Sequence, residues 1–236
     1  MVEQARRFPG RRIRYGFAEG SEIVAADVAR NEQGLSFTAR YEEQLVEVHV
    51  PLHGRHNVYN MLAALAIATT FGLPLDVAAE RLSELGPVPH RGERLAFREG
   101  FLVIDETYNS NPVAVASVLD SLAEEPAPRR IAVLGDMLEL GERAESAHLE
   151  TGKKAAESRL AFLLGVGSLG NLIVEGARRA GMEERRLAWV ERPEEAGEWI
   201  AGRIRPADVV LLKASRGIGL DRALDLLRER FTVEAD

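Results

Sequence analysis

The sequence predicts an α/β protein with two domains, the second of which is a doubly wound, Rossmann-like domain built on a parallel sheet. In the second half, short apolar runs alternate with helical patterns, which is typical of parallel strands that crossover helices bury on both faces. In the first half, short strands are followed by an Ala- and Leu-rich helix. Between the halves, Pro87 and Pro89 follow Gly86 and end a helix, because proline lacks a backbone donor. We therefore expect domains over residues 1–86 and 87–236.

Short strands are expected at the start of the chain, separated by turn signals at Gly20, Asn31 and Gly34. They cover residues 13–17, 23–28, 35–40 and 45–50. Their thin apolar face suggests the antiparallel edge of a larger domain whose partner layer lies upstream. A small independent sheet that closes on the following helices is the alternative.

Two helices follow these strands, the first around the apolar run 61–68 and the second over 75–85. Asn57 and Asn60 lie three residues apart on the first turn, so both amides can face one ligand. An amide offers a donor and an acceptor together, which suits the edge of a purine base. Asn residues at a helix start also serve as caps, and the spacing alone leaves both interpretations open.

The second half of the chain predicts a regular alternation of strands and helices. Strands are expected over residues 95–97, 101–104, 131–134, 160–166, 187–190 and 209–212. Helices are expected over residues 113–123, 145–158, 169–180, 194–204 and 220–231, and Pro112 favours the start of the first of them. No Gly-x-Gly-x-x-Gly motif follows a first strand, so a dinucleotide cofactor is not indicated.

Three polar segments follow buried strands in this half, at residues 105–111, 135–141 and 213–217. Because the carboxyl ends of parallel strands meet at one edge of a sheet, we expect these side chains to converge on one cleft. The Lys-Ala-Ser-Arg group at 213–216 is suited to a carboxylate or a phosphate. The residue types in the first segment also cap helices and satisfy turns, which leaves that interpretation open.

Two further positions carry weaker signals. An Arg within residues 90–94 could hold a phosphate, since a guanidinium fork matches phosphate oxygens, although a solvated run of charges is the common outcome. His148 lies inside a predicted helix, where a hydrogen-bonded and partly buried side chain is a safer expectation than acid–base chemistry.

Composition excludes several classes of protein. With 236 residues, of which 46% are hydrophobic, the chain can bury one good core or two modest ones. Its net charge of -7 argues against a nucleic-acid partner, whose phosphates need a basic face. The chain has no Cys, which excludes disulfides and thiolate metal sites and suits the cytoplasm. No apolar run approaches the roughly 18 residues of a membrane span, and a signal peptide is not indicated.

Four motifs occur along the chain in a fixed order. They are residues 54–64, residues 105–112, residues 134–141 with His148, and residues 213–216. This order is that of the Mur ligases, and the chain resembles this family from its first predicted strand onward. The Tyr-Asn-Ser-Asn-Pro and Gly-Asp-Met-Leu-Glu-Leu-Gly segments are most similar to members that add D-Ala-D-Ala to a UDP-N-acetylmuramoyl-tripeptide. The resemblance implies a partial central Mur ligase domain, the end of the ATPase domain, over 1–86, followed by a Rossmann-like ligase domain over 87–236.

The resemblance also implies an activity. An ATP-dependent amide ligase of peptidoglycan precursor synthesis would phosphorylate the tripeptide carboxylate to an acyl phosphate, which the amine of D-Ala-D-Ala would attack. The implied cofactors are ATP and Mg²⁺, with the metal ligands upstream of this chain. The implied partners are UDP-N-acetylmuramoyl-tripeptide and D-Ala-D-Ala, and a cytoplasmic monomer is expected.

Roles for individual residues follow from the same resemblance. The nucleotide is expected to contact His56, Asn57, Asn60, Arg94, Asp105, Glu106 and Tyr108, with adenine near the first three, a phosphate at Arg94 and the ribose at the acidic pair. The dipeptide or acyl phosphate is expected to contact Asn109, Asn111, Asp136, Lys213, Ser215 and Arg216. Arg94 and Lys213 are the expected catalytic residues, with Arg91 as a second candidate for the phosphate, and no residue here is expected to bind a metal.

The sequence departs from the family pattern in three ways. Glu106 stands where the family commonly has a second Asp, which leaves open which carboxylate meets the ribose, and Ala214 replaces a usual Gly. No Gly-rich phosphate loop ending in Gly-Lys-Thr or Gly-Lys-Ser occurs. We therefore expect the chain alone to be inactive, as the C-terminal portion of a ligase. The alternatives are another amide ligase of the superfamily, similar to folylpolyglutamate or cyanophycin synthetases, and a non-catalytic binding module.

Overall fold

The computed structural model describes residues 8–31, 34–86 and 88–234. The chain divides into two compact units, Met1–Pro87 and Val88–Asp236. Each unit has its own apolar core. Within the described ranges, the helices are all too short or too polar to cross a lipid bilayer.

The first unit contains a sheet with the strand order β1-β2-β3-β4. Its strands are β1 (Tyr15–Gly16), β2 (Ile23–Asn31), β3 (Gly34–Tyr41) and β4 (Gln44–Val50). β2, β3 and β4 pair antiparallel as predicted. The antiparallel prediction is wrong for β1, which pairs parallel with β2. The two strands are joined by a turn that is not a hairpin. In this turn, Ser21 N–H donates to the Ala18 carbonyl and Gly20 has a φ of 96°.

Two helices, α1 (Arg55–Thr70) and α2 (Leu75–Ser83), pack their apolar side chains with those of the sheet. Phe37 of β3 and Leu62 of α1 lie in the middle of this core and are almost fully buried. The burial of one side of each helix against the strands is the hydrophobic contribution that holds the unit together.

The outer side of α1 is apolar as well. Tyr59 and Ile67, two helical turns apart, are 46% and 61% exposed, and Phe71 at the end of the helix is 86% exposed. Tyr15, Ala63, Ile67 and Phe71 line an open groove of about 300 Å³. Arg11 and Thr70 also line this groove, so its surface is largely but not wholly apolar. The outer face of α1 therefore has the character of a surface that packs against another layer.

The second unit contains a sheet with the strand order β5-β6-β10-β7-β8-β9. Its strands are β5 (Glu93–Ala96), β6 (Leu102–Glu106), β7 (Arg129–Gly135), β8 (Phe162–Val166), β9 (Leu187–Val190) and β10 (Asp208–Lys213). Its helices are α3 (Pro112–Ala123), α4 (Ala144–Glu157), α5 (Gly170–Arg179), α6 (Pro193–Ala201) and α7 (Asp221–Arg230). β6 to β10 are mutually parallel, and β5 is an antiparallel edge strand.

Helices cover both faces of this sheet, which confirms the predicted doubly wound domain. Val209 and Leu211 of β10 pack on the side of α3, α4 and α5. Val210 and Leu212 of the same strand pack on the side of α6 and α7. Alternate residues of a strand point to opposite faces, so β10 is buried on both sides, as its continuous apolar run predicts.

The start of α3 is fixed by the residues that predicted it. Pro112 is its first residue, and the Asn111 side-chain oxygen accepts a hydrogen bond of 2.9 Å from Ala114 N–H. The predicted strand at 95–97 begins earlier, at Glu93, and its antiparallel direction is a feature that the pattern did not predict.

Candidate active site

β6, β10 and β7 lie side by side, and their carboxyl ends bring the three predicted polar segments to one edge of the sheet. In the strand register, Lys213 at the end of β10 pairs with Glu106 of β6 on one side and Leu134 of β7 on the other. The convergence that the sequence predicts is therefore present, and Lys213 lies at its centre.

Lys213 is buried and held by two oxygens. Its Nζ lies 2.9 Å from the Asn109 carbonyl oxygen and 3.4 Å from a Glu106 carboxylate oxygen. Burial lowers the pKa of Lys213, the Glu106 carboxylate opposes that shift, and the Arg91 guanidinium adds to it. A buried ammonium with fixed partners offers one well-placed positive charge at the edge of the sheet.

Two arginines lie against the ring of Tyr108. The guanidinium carbon of Arg91 is 3.9 Å from the ring centroid, and that of Arg216 is 5.4 Å from it. Both arginines are exposed, and Tyr108 is partly exposed. Such cation–π contacts orient a guanidinium without using its hydrogen-bond donors. Together with Lys213, they leave this part of the cleft positively charged and suited to an anionic ligand.

Asp105 and Glu106 differ sharply in their surroundings. Asp105 is fully buried, and one of its oxygens accepts hydrogen bonds from Thr107 N–H at 3.0 Å and Thr107 Oγ1 at 2.7 Å. Its other oxygen lies 2.7 Å from His90 Nδ1. Glu106 instead faces Lys213. Of the acidic pair, Asp105 holds the turn and Glu106 is the carboxylate that borders the cleft.

The predicted substrate-binding amides also serve the local structure. The Asn109 side-chain oxygen accepts a hydrogen bond of 2.8 Å from Ser110 N–H, while its carbonyl binds Lys213. Asn111 caps α3. These contacts place both residues at the cleft edge and fulfil the capping alternative that the sequence left open.

Asp136 and Ser215 hold the loops that follow β7 and β10. Asp136 is buried and accepts hydrogen bonds from Leu169 N–H at 3.0 Å and Ser168 Oγ at 3.1 Å, just before α5. Ser215 Oγ accepts a hydrogen bond of 2.9 Å from Leu138 N–H. Both side chains lie at the predicted edge, and each orders a loop there.

His148 fixes the same loop from the other side. It is fully buried, its Nδ1 lies 2.6 Å from the Ala144 carbonyl, and its Nε2 accepts a hydrogen bond of 2.9 Å from Met137 N–H. A carbonyl oxygen can only accept and a backbone N–H can only donate, so Nδ1 donates to Ala144 and Nε2 accepts from Met137. The prediction of a hydrogen-bonded His is confirmed, and the side chain is fully buried where partial burial was expected.

Arg94 is directed away from this cleft. Its guanidinium makes two hydrogen bonds of 2.9 Å with the Glu125 carboxylate. Glu125 follows the C-terminal end of α3, whereas the cleft lies at the N-terminal end of that helix. The structure therefore brings Arg91, and not Arg94, together with Lys213 and Arg216.

In the first unit, the predicted adenine contacts lie together on the first turn of α1. Asn60 Nδ2 donates to Asn57 Oδ1 at 3.0 Å, and Asn57 Nδ2 donates to the His53 carbonyl at 2.7 Å. His56 lies on the same turn and is half-buried. Asn57 and Asn60 therefore lie on one face of α1, as their spacing predicts, and a hydrogen bond joins their side chains.

His90 has no motif or spacing in the sequence that marks it as a site residue. Together with Glu93 and Asp105 it forms a group whose oxygen and nitrogen atoms lie within 4.8 Å of one another. Glu93 pairs directly with Asp105 across β5 and β6. The antiparallel register of β5 would have revealed this group, but the sequence pattern did not specify that register.

The fold is that of an α/β protein whose charged side chains gather at the carboxyl ends of its parallel strands, where proteins of this class commonly bind ligands. Residues 90–216 match the family model described as Mur ligase, glutamate ligase domain, and residues 1–68 match the Mur ligase middle domain. The first match alone covers more than half of the chain. The chain belongs to the Mur ligase family.

Named relatives and a solved structure agree with this assignment. The chain is 30% identical over 216 residues to the UDP-N-acetylmuramoyl-tripeptide--D-alanyl-D-alanine ligase of Bacillus subtilis, covering 91% of this chain and 47% of the relative. It is 34% identical over 215 residues to the Escherichia coli ligase of the same name, covering 91% and 46%. The MurF ligase of Thermotoga maritima in complex with ADP superposes with a TM-score of 0.76 at 26% identity, covering 91% of this chain and 48% of that one. The chain thus spans about half the length of the curated relatives it matches.

Proposed function

We propose that this chain is the C-terminal portion of an ATP-dependent amide ligase of peptidoglycan precursor synthesis. The ligase joins D-Ala-D-Ala to UDP-N-acetylmuramoyl-tripeptide through an acyl phosphate. The observation that carries the proposal is the cationic cleft around Lys213, Arg91 and Arg216 at the strand ends. An acyl phosphate and a dipeptide carboxylate are anions of the kind such a cleft can hold. The names of the relatives support this choice of substrates.

The cleft residues have distinct roles in this proposal. Phosphoryl transfer depends mainly on positioned charge, and Lys213 provides a fixed one because the Asn109 carbonyl holds its ammonium. Arg91 takes the phosphate contact in place of Arg94, whose donors are bound to Glu125. Arg216 is the second arginine in contact with the Tyr108 ring, and its guanidinium contributes a further positive charge to the cleft.

The nucleotide contacts are proposed on the same grounds. Asn57 and Asn60, with His56, present amide and imidazole groups suited to adenine. Glu106 is preferred to Asp105 for the ribose, since both Asp105 oxygens already accept hydrogen bonds within the chain. Mg²⁺, if bound, would supply positive charge to the phosphates, and its ligands are expected in the part of the ligase upstream of this chain.

The first unit is proposed to be the end of the middle, ATP-hydrolysing domain. The middle-domain match over 1–68 and the apolar outer face of α1 support this. That face would pack against the preceding part of the same domain. Mixing the chain with the N-terminal half of the Escherichia coli ligase should form a complex by size-exclusion chromatography. Ile67→Glu should abolish the complex, and Leu45→Glu, at a residue 66% exposed on β4, is the matched control that should not.

The activity is tested with UDP-N-acetylmuramoyl-tripeptide, D-Ala-D-Ala, ATP and Mg²⁺, by following ADP and amide product. We expect product from the mixture of the two halves and none from this chain alone. Product from this chain alone would overturn the expectation that it is an incomplete enzyme. In a parallel assay that offers glutamate in place of D-Ala-D-Ala, ligation of glutamate alone would favour a folylpolyglutamate-synthase-like ligase. Tight D-Ala-D-Ala binding without product from any mixture would favour the binding-module alternative.

We also propose that the protein acts in the cytoplasm, where ATP is supplied, and as a monomer. Analytical ultracentrifugation of the two-half complex tests the second point. A sedimenting species with two copies of each half would contradict it.

A further inference from the structure

The segment that enters β5 is fastened to the end of β6 by several hydrogen bonds centred on His90. His90 Nδ1 lies 2.7 Å from Asp105 Oδ2, and the His90 carbonyl accepts a hydrogen bond of 3.1 Å from Tyr108 N–H. Gly92 N–H donates to the Asp105 carbonyl at 2.9 Å. His90 therefore links the entering segment to both ends of the Asp105 to Tyr108 turn.

The chemistry of Asp105 fixes the proton on the His90 ring. An ionised carboxylate only accepts hydrogen bonds, and the Oδ1 atom of Asp105 is already used by Thr107. With the carboxylate form of Asp105, the contact with Oδ2 places a donor proton on His90 Nδ1. Because Asp105 is fully buried, it cannot replace this donor with bulk water.

The backbone at His90 is also unusual. Its φ of 64° lies in the left-handed region, which side chains with a Cβ rarely adopt and which Asn tolerates better than most residues. The turn is closed by Arg91 N–H, which donates to the Val88 carbonyl at 3.0 Å. This conformation turns the next residue, Arg91, toward the ring of Tyr108.

We propose that His90 is a positioning residue that holds Arg91 against Tyr108. It is bonded covalently to Arg91 and through its carbonyl to the backbone of Tyr108, so it connects both members of the cation–π contact. Its ring, anchored on Asp105, keeps this connection in one arrangement. The proposal rests on the proposed function, in which the Arg91 guanidinium meets a phosphate group.

Three substitutions separate the ring from the backbone. His90→Asn keeps a side-chain N–H donor near the Nδ1 position and tolerates the left-handed backbone. His90→Gly accepts the backbone conformation without strain but removes the donor. His90→Ala removes the donor and disfavours the backbone conformation, so it serves as the most severe case.

The first readout is the Arg91 Nε–Hε resonance in a ¹H–¹⁵N NMR spectrum of the whole chain. Stacking at 3.9 Å places this group in the ring current of Tyr108, and Tyr108→Leu identifies the shift that the ring causes. We expect His90→Asn to keep the shifted resonance and His90→Gly to move it to the position of an exposed arginine. An unchanged Arg91 resonance in folded His90→Gly would overturn the proposal.

The second readout is the affinity of the chain for inorganic pyrophosphate by titration calorimetry. We expect His90→Gly to weaken binding about tenfold, the equivalent of one charge-assisted hydrogen bond, and His90→Asn to restore it. Equal affinity in both variants would contradict the link between positioning and binding. Failure of the unsubstituted chain to bind pyrophosphate, with the Arg91 resonance behaving as expected, would reject the phosphate role and leave the positioning role supported.

Discussion

The helices of the first unit leave large apolar side chains in solvent, whereas the second unit buries its strands between helices on both faces. Ile67 and Phe71 on the outer side of α1 are 61% and 86% exposed. Leu164 of β8 and Leu119 of α3 are fully buried. In the second unit, helices of the described chain cover both faces of the sheet, although Val113 at the start of α3 is 80% exposed. The first unit has a surface that would gain stability from a further layer.

A compact unit with its own core can therefore still expose an apolar helix face. Each unit has a core of its own, so each is compact, but only the second covers both faces of its sheet with helices of the described chain. Trp189 and Trp199, the two Trp residues of the chain, lie in the second unit, so Trp fluorescence follows its unfolding and far-UV circular dichroism follows both units.

The largest contrast is expected between a core residue of the second unit and an apolar residue on the outer face of the first. Leu119→Ala should lower the free energy of unfolding of the second unit by about 3 to 4 kcal/mol, because it leaves a cavity. Ile67→Ala should change stability by less than about 0.5 kcal/mol. Urea denaturation with both probes measures the two effects. Comparable losses at the two positions would mean that the outer face of α1 is already covered.

A smaller contrast is expected between two polar contacts. Asp136→Ala removes the buried acceptor of Leu169 N–H and should cost about 1 to 2 kcal/mol. Asn57→Ala removes two hydrogen bonds on the first turn of α1, one part-buried and one exposed, and should cost less, about 0.5 to 1 kcal/mol. Thermal unfolding of the matched pair gives the comparison. If Asn57→Ala lowers the melting temperature more than Asp136→Ala does, the expected ranking of the two contacts is wrong.

The two candidate arginines should separate stability from binding. Arg94→Ala should cost about 1 kcal/mol by breaking its paired hydrogen bonds with Glu125, and it should leave pyrophosphate affinity unchanged. Arg91→Ala should barely change stability and should weaken pyrophosphate binding. Calorimetric titration and urea denaturation of both variants decide the matter. Weaker binding in Arg94→Ala alone would return the phosphate role to Arg94.

The smallest expected effect is a pH dependence caused by Lys213. Its folded pKa is lowered chiefly by burial, so above that pKa the unfolded chain binds a proton that the folded chain has released. The free energy of unfolding should therefore rise as the pH increases toward 10.5, the usual pKa of Lys. Urea denaturation of the unsubstituted chain and of Lys213→Met at increasing pH isolates this contribution. The lowered pKa would be contradicted if the free energy of unfolding of the unsubstituted chain, minus that of Lys213→Met, fell as the pH rose.

Most of the fold follows from local patterns. The apolar runs of β7, β8 and β10 and the helix start at Pro112 depend on neighbouring residues, so the sequence predicts them well. The parallel pairing of β1 and the antiparallel direction of β5 depend on how the chain turns between elements. Turn geometry of that kind has weak sequence signals unless Gly or Asn dictates it.

The site shows the same division. The convergence of Lys213 and Glu106 follows from strand ends in a parallel sheet. Which of Arg91 and Arg94 reaches the cleft depends on the residue at which β5 begins. Alternate side chains of a strand face opposite sides, so a register shift of one residue would turn each arginine to the other side. The contact of His90 with Asp105 depends on a left-handed backbone at His90 that no pattern in the sequence indicates.

β10 is the last strand of the chain but lies between β6 and β7. During synthesis, β6 and β7 leave the ribosome long before the strand that joins them, so each waits with an unpaired edge. When β10 enters the gap, it carries Lys213 and Ser215 with it. Completion of the sheet and assembly of the cleft are therefore one event.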